Sequence, residues 1–257
     1  MSSRPTKVFK VKDVMQLHAI LTGYRPHAKS GWWFRGQADA TWRLVPKAGR
    51  PEFLLPGKRH LGRFHAWAED SITYIDKPPS NQWELLAIAQ HHGLATCLLD
   101  WSNNPLVGLF FACCEQPERD AALFIYQPPS FISRDEETLR DGSAKGVGLI
   151  SRAVTTRILN QRGVFSVHTP PDFEITNVPL SEEHGPMAGV DSLVKVLIPA
   201  GLKQDVLRML DAYGVSRVTL FPDLDGLSEY INWETQRMAS RKGSAKVKDG
   251  AKAKDSG

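Results

Sequence analysis

Apolar positions recur at helical spacing near the start of the chain, where Val14, Leu17, Ile20 and Leu21 share one face of residues 11–22. That spacing predicts an amphipathic helix. The run Trp32-Trp33-Phe34 is continuous and stops at Arg35-Gly36, which predicts a short buried strand over 32–35. Helices are predicted over 58–75 and 81–92, the second with Ser80 or Asn81 as its N-cap and Gly93 as its stop. "LATCLLD" (94–100) predicts a strand and "WSNNP" (101–105) a turn. "PLVGLFFACCE" (105–115) follows as a helix with Pro105 at its first position. "AALFIYQ" (121–127) predicts a strand, residues 128–150 a long connection, and "SRAVTTRILNQ" (151–161) a helix capped by Ser151. "GVFSVHT" (163–169) and "SLVKVLIPA" (192–200) predict strands on either side of a Pro/Glu-rich loop at 170–190. "LKQDVLRMLDAYG" (202–214) is an amphipathic helix ending at Gly214, "SRVTLF" (216–221) a strand, and "LDGLSEYINWETQRM" (224–238) the last helix.

Strands and helices are interleaved without regular strand–helix–strand alternation. The order predicts an α+β fold, with a mixed, mostly antiparallel sheet flanked by helices. It divides into an N-terminal extension (1–7), one domain (8–239) and a basic tail (240–257) of Lys, Ala, Gly and Ser expected to be disordered.

Charge sharpens this division. The tail carries six Lys/Arg against two Asp, a surplus equal to the whole chain's formal net charge of +4. The body is therefore neutral, and nucleic acid or acidic partners are expected through the basic tail only. Lys and Arg within 50–63 read as a solvated face more readily than as a binding stripe. Cys97, Cys113 and Cys114 are few, odd in number and set in apolar runs, so they predict small core residues in a reducing compartment. No run reaches signal-peptide or membrane-spanning length, which predicts a soluble cytoplasmic protein without membrane partners. No Walker-type loop, dinucleotide-binding glycine motif or zinc spacing is present, and no metal is expected.

Three segments place polar residues at strand ends: "FRGQ" with "LVPKAGR", then "QHHGLATCLLDWSNNPLVGLFFA", then "RILNQRGVFSV" with its late partner "LFPDLDGL". An arginine closing a buried strand is costly unless a carboxylate or a ligand anion meets it. Asp100 stands at a strand end, before a turn whose following helix presents free N–H groups. Asp100 can pair with Arg35 or line a pocket. Lys47 and Arg50 flank the "PKAGR" loop, either to bind phosphate or as exposed charges.

These blocks, in this order, resemble the FRG-domain family, named for the triplet that stands here as Phe34-Arg35-Gly36, and the resemblance runs to about Tyr230. The family pattern has a basic residue where Cys97 stands and Thr where Ser102 stands. The first departure removes a possible phosphate contact; the second keeps a hydroxyl. The resemblance implies a domain more securely than an activity.

The layout also resembles ADP-ribosyltransferases of the Arg–Ser–Glu type. That resemblance implies that Arg35 contacts a phosphate or ribose of NAD and that Ser102 braces the nicotinamide pocket. No glutamate stands clearly in the required place; Gln161 occupies one such position, and Glu174 and Glu229 are unsupported candidates. The expected catalytic set is Arg35, Asp100, Ser102 and Gln161, and the expected cofactor-binding set Arg35, Gln37, Lys47 and Ser102. The leading expectation is binding of a nucleotide-like anion, NAD in particular, with ADP-ribosyl transfer as its chemistry. The alternative is a non-catalytic interaction module in which Arg35 and Asp100 form a buried structural pair. Whether the protein is an enzyme stays open at this point.

Overall fold

A computed structural model describes residues 6–25, 31–56, 59–76, 78–132, 145–150, 159–181, 184 and 189–252, with side chains as far as Met238. The elements run β1 (Lys7–Lys10), α1 (Val14–Thr22), β2 (Trp33–Gln37), α2 (Arg59–Ser71), α3 (Gln82–His91), β3 (Leu98–Ser102) and α4 (Pro105–Cys113). There follow β4 (Ala121–Tyr126), β5 (Lys145–Leu149), β6 (Gly163–His168), β7 (Leu193–Ile198), α5 (Lys203–Ala212), α6 (Arg217–Leu220) and α7 (Leu224–Lys252). Seven strands form one sheet in the order β1-β7-β4-β2-β3-β6-β5. Among the strands of the described residues, β1 and β7 pair in parallel and the other pairs are antiparallel. The fold is a single α+β domain, and the expected mixed, mostly antiparallel sheet is present.

Alternation along the strands divides the core into layers. Phe34, Leu123, Ile125 and Val196 face α1, α4 and α5, where Leu17, Leu109 and Leu210 meet them. On the opposite face Trp33, Leu99, Trp101, Phe124 and Tyr126 pack beneath Leu44 and Ile175 from two long loops. Trp101 stacks on Tyr126 with ring centroids 5.0 Å apart. A third cluster joins Phe64 of α2 and Trp83 and Leu86 of α3 to Leu98, Phe165 and Val167. With both faces covered, β4 is apolar at every position, unlike a half-exposed strand, while β2 breaks its apolar run at Arg35 and Gln37.

The sheet is uneven. Neighbouring strands pair over four to six residues, as β4 does with β7 and β3 with β6. By contrast, β2 and β3 pair at a single position, Phe34 opposite Ser102. Beyond it the strands part, and a wedge opens at their line of contact.

Four readings differ from the structure. The strand expected over 216–221 is instead the short helix α6 between Ser216 and Phe221 as its caps, because Ser216 and Thr219 make a capping box. β5 lies within the expected connection, and β1 was absent from the expected elements. The last helix continues past Met238 to Lys252, into the segment expected to be a disordered tail. The helix expected over 151–161 lies mostly outside the described residues.

Candidate functional site

The wedge between β2 and β3 is the floor of a cleft of about 780 Å³, a volume suited to a small organic ligand. Arg35, Gln37, Lys47, Asp100, Ser102 and Gln161 all line it, so the six residues singled out from sequence are brought together.

Gly36 explains how Arg35 reaches that position. A Cβ at residue 36 would lie 2.1 Å from the Gly108 carbonyl oxygen and 2.2 Å from the Ala112 amide nitrogen. The α4 backbone therefore rests directly on β2, and the glycine of the triplet serves this contact and not the approach of a ligand. Pro105 opens α4, and the Asn104 side chain accepts from the Leu106 amide at 3.0 Å as the N-cap.

Arg35 is 16% exposed at its side chain, whereas Asp100 is 60% exposed. Arg35 Nη1 donates to the Asp100 backbone carbonyl at 2.6 Å and lies 3.9 Å from the Asp100 carboxylate. Its buried Nε has no hydrogen-bond partner among the described residues. Burial lowers the pKa of the guanidinium, the Asp100 carboxylate opposes that shift, and Arg50 adds to it. The guanidinium stays charged throughout the physiological range. A dry bidentate Arg–Asp pair, the geometry that would close the site structurally, is not what the two residues form.

Gln90, at the end of α3, holds the Asp100 carboxylate. Its Nε2 donates to Asp100 Oδ2 at 2.9 Å and to the Leu98 carbonyl at 3.2 Å, while its Oε1 accepts from the Thr96 hydroxyl. Ser102 is buried, and its hydroxyl is already engaged. It donates to the Gln161 carbonyl at 2.7 Å and accepts from the Asn104 amide at 3.0 Å. The hydroxyl thus pins the segment before β6 to the α4 turn. The Gln161 side chain donates to the Leu220 carbonyl at 3.4 Å. Lys47 donates to the Gly93 carbonyl at 2.8 Å and lies 5.0 Å over the Phe53 ring.

Residues beyond those six complete the lining. Trp42 is 46% exposed and presents a flat apolar face. Arg43 lines the cleft but is paired with Glu174 at 3.0 Å; Glu174 also accepts from the Leu44 amide. Arg50 makes no side-chain hydrogen bond or ion pair among the described residues. Glu52 and Glu115 join Asp100 as the carboxylates of the lining. Glu229 pairs with Arg217 and, like Glu174, is not among the cleft residues. Trp42 and Arg43 lie in a stretch without periodicity, so nothing in the pattern marked them; their exposure in the fold does.

Beneath the cleft a buried chain runs from Trp101 Nε1 to Ser166 Oγ at 2.9 Å and on to His168 Nε2 at 2.9 Å. His168 Nδ1 meets the Phe173 carbonyl at 2.8 Å, which assigns the proton to Nδ1 and makes Nε2 the acceptor of the Ser166 hydroxyl. Burial is the main cause lowering the His168 pKa to about 4; the Phe173 bond opposes it and the nearby Arg35 charge adds to it. Although a Ser–His pair, it is fully buried and structural. The thiols of Cys97 and Cys113 are pushed up to about 12 by burial and are not nucleophiles.

Among the described residues no group of three or more His, Cys, Asp or Glu is placed to hold a metal ion. Among them, too, no helix is long and apolar enough to cross a membrane. No curated protein and no solved structure matches the chain, so no relative connects it with an ADP-ribosyltransferase or with a cofactor. One family model does match, that of the FRG domain, over residues 30–121. The match spans β2 to the first residue of β4 and leaves Gln161 outside. With Phe34-Arg35-Gly36 set between α4 and the cleft, residues 30–121 of this chain carry an FRG domain.

Proposed function

We propose that the cleft between β2 and β3 binds a small, anionic, nucleotide-like molecule, with NAD as the specific candidate. One observation carries this reading: Arg35 is a largely buried guanidinium whose Nε has no partner, beside a carboxylate turned mostly to solvent. Leaving a buried charged group partly unsatisfied costs on the order of 1–3 kcal/mol, which a ligand anion would recover. A planar guanidinium suits a pyrophosphate, Lys47 and Arg50 add positive charge at the rim, and Trp42 offers a surface for a ring to stack on.

On NAD the chemistry would be rupture of the bond between the ribose C1′ and the nicotinamide nitrogen. Nicotinamide leaves with the bonding pair, and an acceptor nucleophile takes the ADP-ribosyl group. A carboxylate near C1′ stabilises the cationic ribose during that transfer. Asp100 is the cleft carboxylate beside Arg35, held by Gln90, and is the group to which this role falls. Ser102, with its hydroxyl engaged on Gln161, acts as a positioning residue for the α4 turn.

The test is a thermal shift of the full chain with NAD, ADP-ribose and inorganic pyrophosphate, repeated on Arg35→Gln. Ligand at a hundred times its Kd stabilises by about 2.7 kcal/mol. A shift in the wild type that Arg35→Gln loses supports the reading. No shift with any of the three at millimolar concentration refutes it and leaves the non-catalytic interaction module.

A further inference from the structure

Among the described residues, two polar atoms at this cleft are buried and unpartnered: Arg35 Nε and Gln37 Oε1. Their residues stand two apart on β2, opposite Phe124 and Ala122 of β4, and so face the same side of the sheet. Two strand residues span about 7 Å. Gln37 is only 4% exposed, yet it lines the cleft. Its amide orientation is not arbitrary. The Nε2 end donates to the Arg43 carbonyl at 3.2 Å, and a carbonyl can only accept. The end left over is therefore the oxygen, an acceptor that asks for a donor.

We propose that the ligand of this cleft carries, besides the anion taken by Arg35, an N–H donor in an amide or amino group, and that Gln37 selects for it. The inference rests on the reading of the cleft given above and narrows its ligand class. Ligands offering only carbonyl or carboxylate oxygens at that end set lone pair against lone pair and are disfavoured. Simple polyanions satisfy Arg35 but leave Gln37 unmet. On NAD two groups have the required chemistry: the nicotinamide carboxamide and the exocyclic amine of adenine.

Calorimetric titration of the full chain with NAD, with its nicotinic acid counterpart and with its hypoxanthine counterpart separates the two. The first counterpart turns the carboxamide into a carboxylate, the second turns the adenine amine into a carbonyl. The expected result is that one of them binds about tenfold more weakly than NAD. Loss with the nicotinic acid form identifies the carboxamide, and it runs against the general attraction of the extra charge to a basic cleft. Loss with the hypoxanthine form identifies the amine. In Gln37→Met, close in volume and without the acceptor, the preference disappears. Equal affinity for all three dinucleotides in the wild type overturns the inference while leaving the cleft reading intact, as does a preference that persists in Gln37→Met. Binding of none of them overturns both. Should Gln37→Met fail to fold, the wild-type series alone still decides, since equal affinities exclude selection by Gln37.

Discussion

Replacing Gly36 by alanine adds one methyl group at the tightest contact between strand and helix. The new Cβ would stand 2.1 Å from the Gly108 carbonyl oxygen, 2.2 Å from the Ala112 amide nitrogen and 2.8 Å from the Phe111 carbonyl carbon. All three are backbone atoms, so no side-chain rotation relieves the clash. Ordinary contact lies at 3.4–4 Å, and α4 must back away from β2 by about 1 Å. Helix α4 carries Val107, Leu109, Phe110 and Ala112 into the core, and all four lose contact when it moves. Overpacking of a core ordinarily costs about 1–3 kcal/mol, and a rigid clash against backbone belongs at or above the top of that range. We therefore expect Gly36→Ala to destabilise by about 3 kcal/mol or more, a fall in Tm of roughly 10 °C for a domain of this size. Gly62 is the control. It lies inside α2 with no atom within 4 Å of an added Cβ, and Gly62→Ala should stabilise by about 0.5–1 kcal/mol through helix propensity. Urea unfolding of the two variants beside the wild type measures both. If Gly36→Ala unfolds within 1 kcal/mol of the wild type, on the scale set by ordinary surface changes, the role assigned to the glycine is wrong.

His168 and Lys203 yield two further tests. The folded His168 holds its pKa near 4, below its ordinary 6.5, so between those values the unfolded chain binds the proton and the native state does not. Stability falls as pH drops through that window, by up to roughly 3 kcal/mol from this group; a His168→Gln variant whose loss between pH 7 and 4 equals the wild type's would exclude it. Lys203 is 1% exposed and donates to the carbonyls of Ala38, Glu115 and Gln116, joining the end of β2 to the end of α4. Lys203→Met strands three acceptors and should cost about 3 kcal/mol or more in denaturant unfolding; a loss under 1 kcal/mol would show that water takes over the lysine's bonds.

The parts of the fold legible in the sequence were those where local signals and packing agree. Asn104-Pro105 opens α4 and Asn81 opens α3, each with its side chain on the expected amide. The segment Ser216–Phe221 misled because Val218, Thr219 and Phe221 favour strands, while the reciprocal Ser216–Thr219 bonds close a helical turn that no apolar period reveals. β5 was hidden by Gly146 and Gly148. Its pairing with β6 and the close fit of Gly148 against Phe131 and Trp33 decide its conformation, and both partners are distant in sequence. The lining of the cleft was legible because polar residues interrupt apolar runs; Gln37 and Ser102 end their strands, while Arg35 and Asp100, expected at strand ends, lie at the centres of β2 and β3. The division of labour was not. That Gly36 faces a helix, that Gln90 holds the Asp100 carboxylate and that Ser102 is spent on Gln161 depend on groups meeting across ten to more than seventy residues.

The single backbone pairing between β2 and β3 has a consequence for cooperativity. β1, β7, β4 and β2 with α1, α4 and α5 form one densely bonded body, and β3, β6 and β5 with α2 and α3 form another. Across the seam, Phe34 opposite Ser102 and the Arg35 bond to the Asp100 carbonyl are the polar links that β2 supplies. Opening the seam breaks few ladder bonds but must part the apolar cluster in which Trp33 and Tyr126 meet Leu99 and Trp101, so side-chain packing supplies the cooperativity that the ladder lacks there. An arginine set across that seam is a clasp as well as a recognition group.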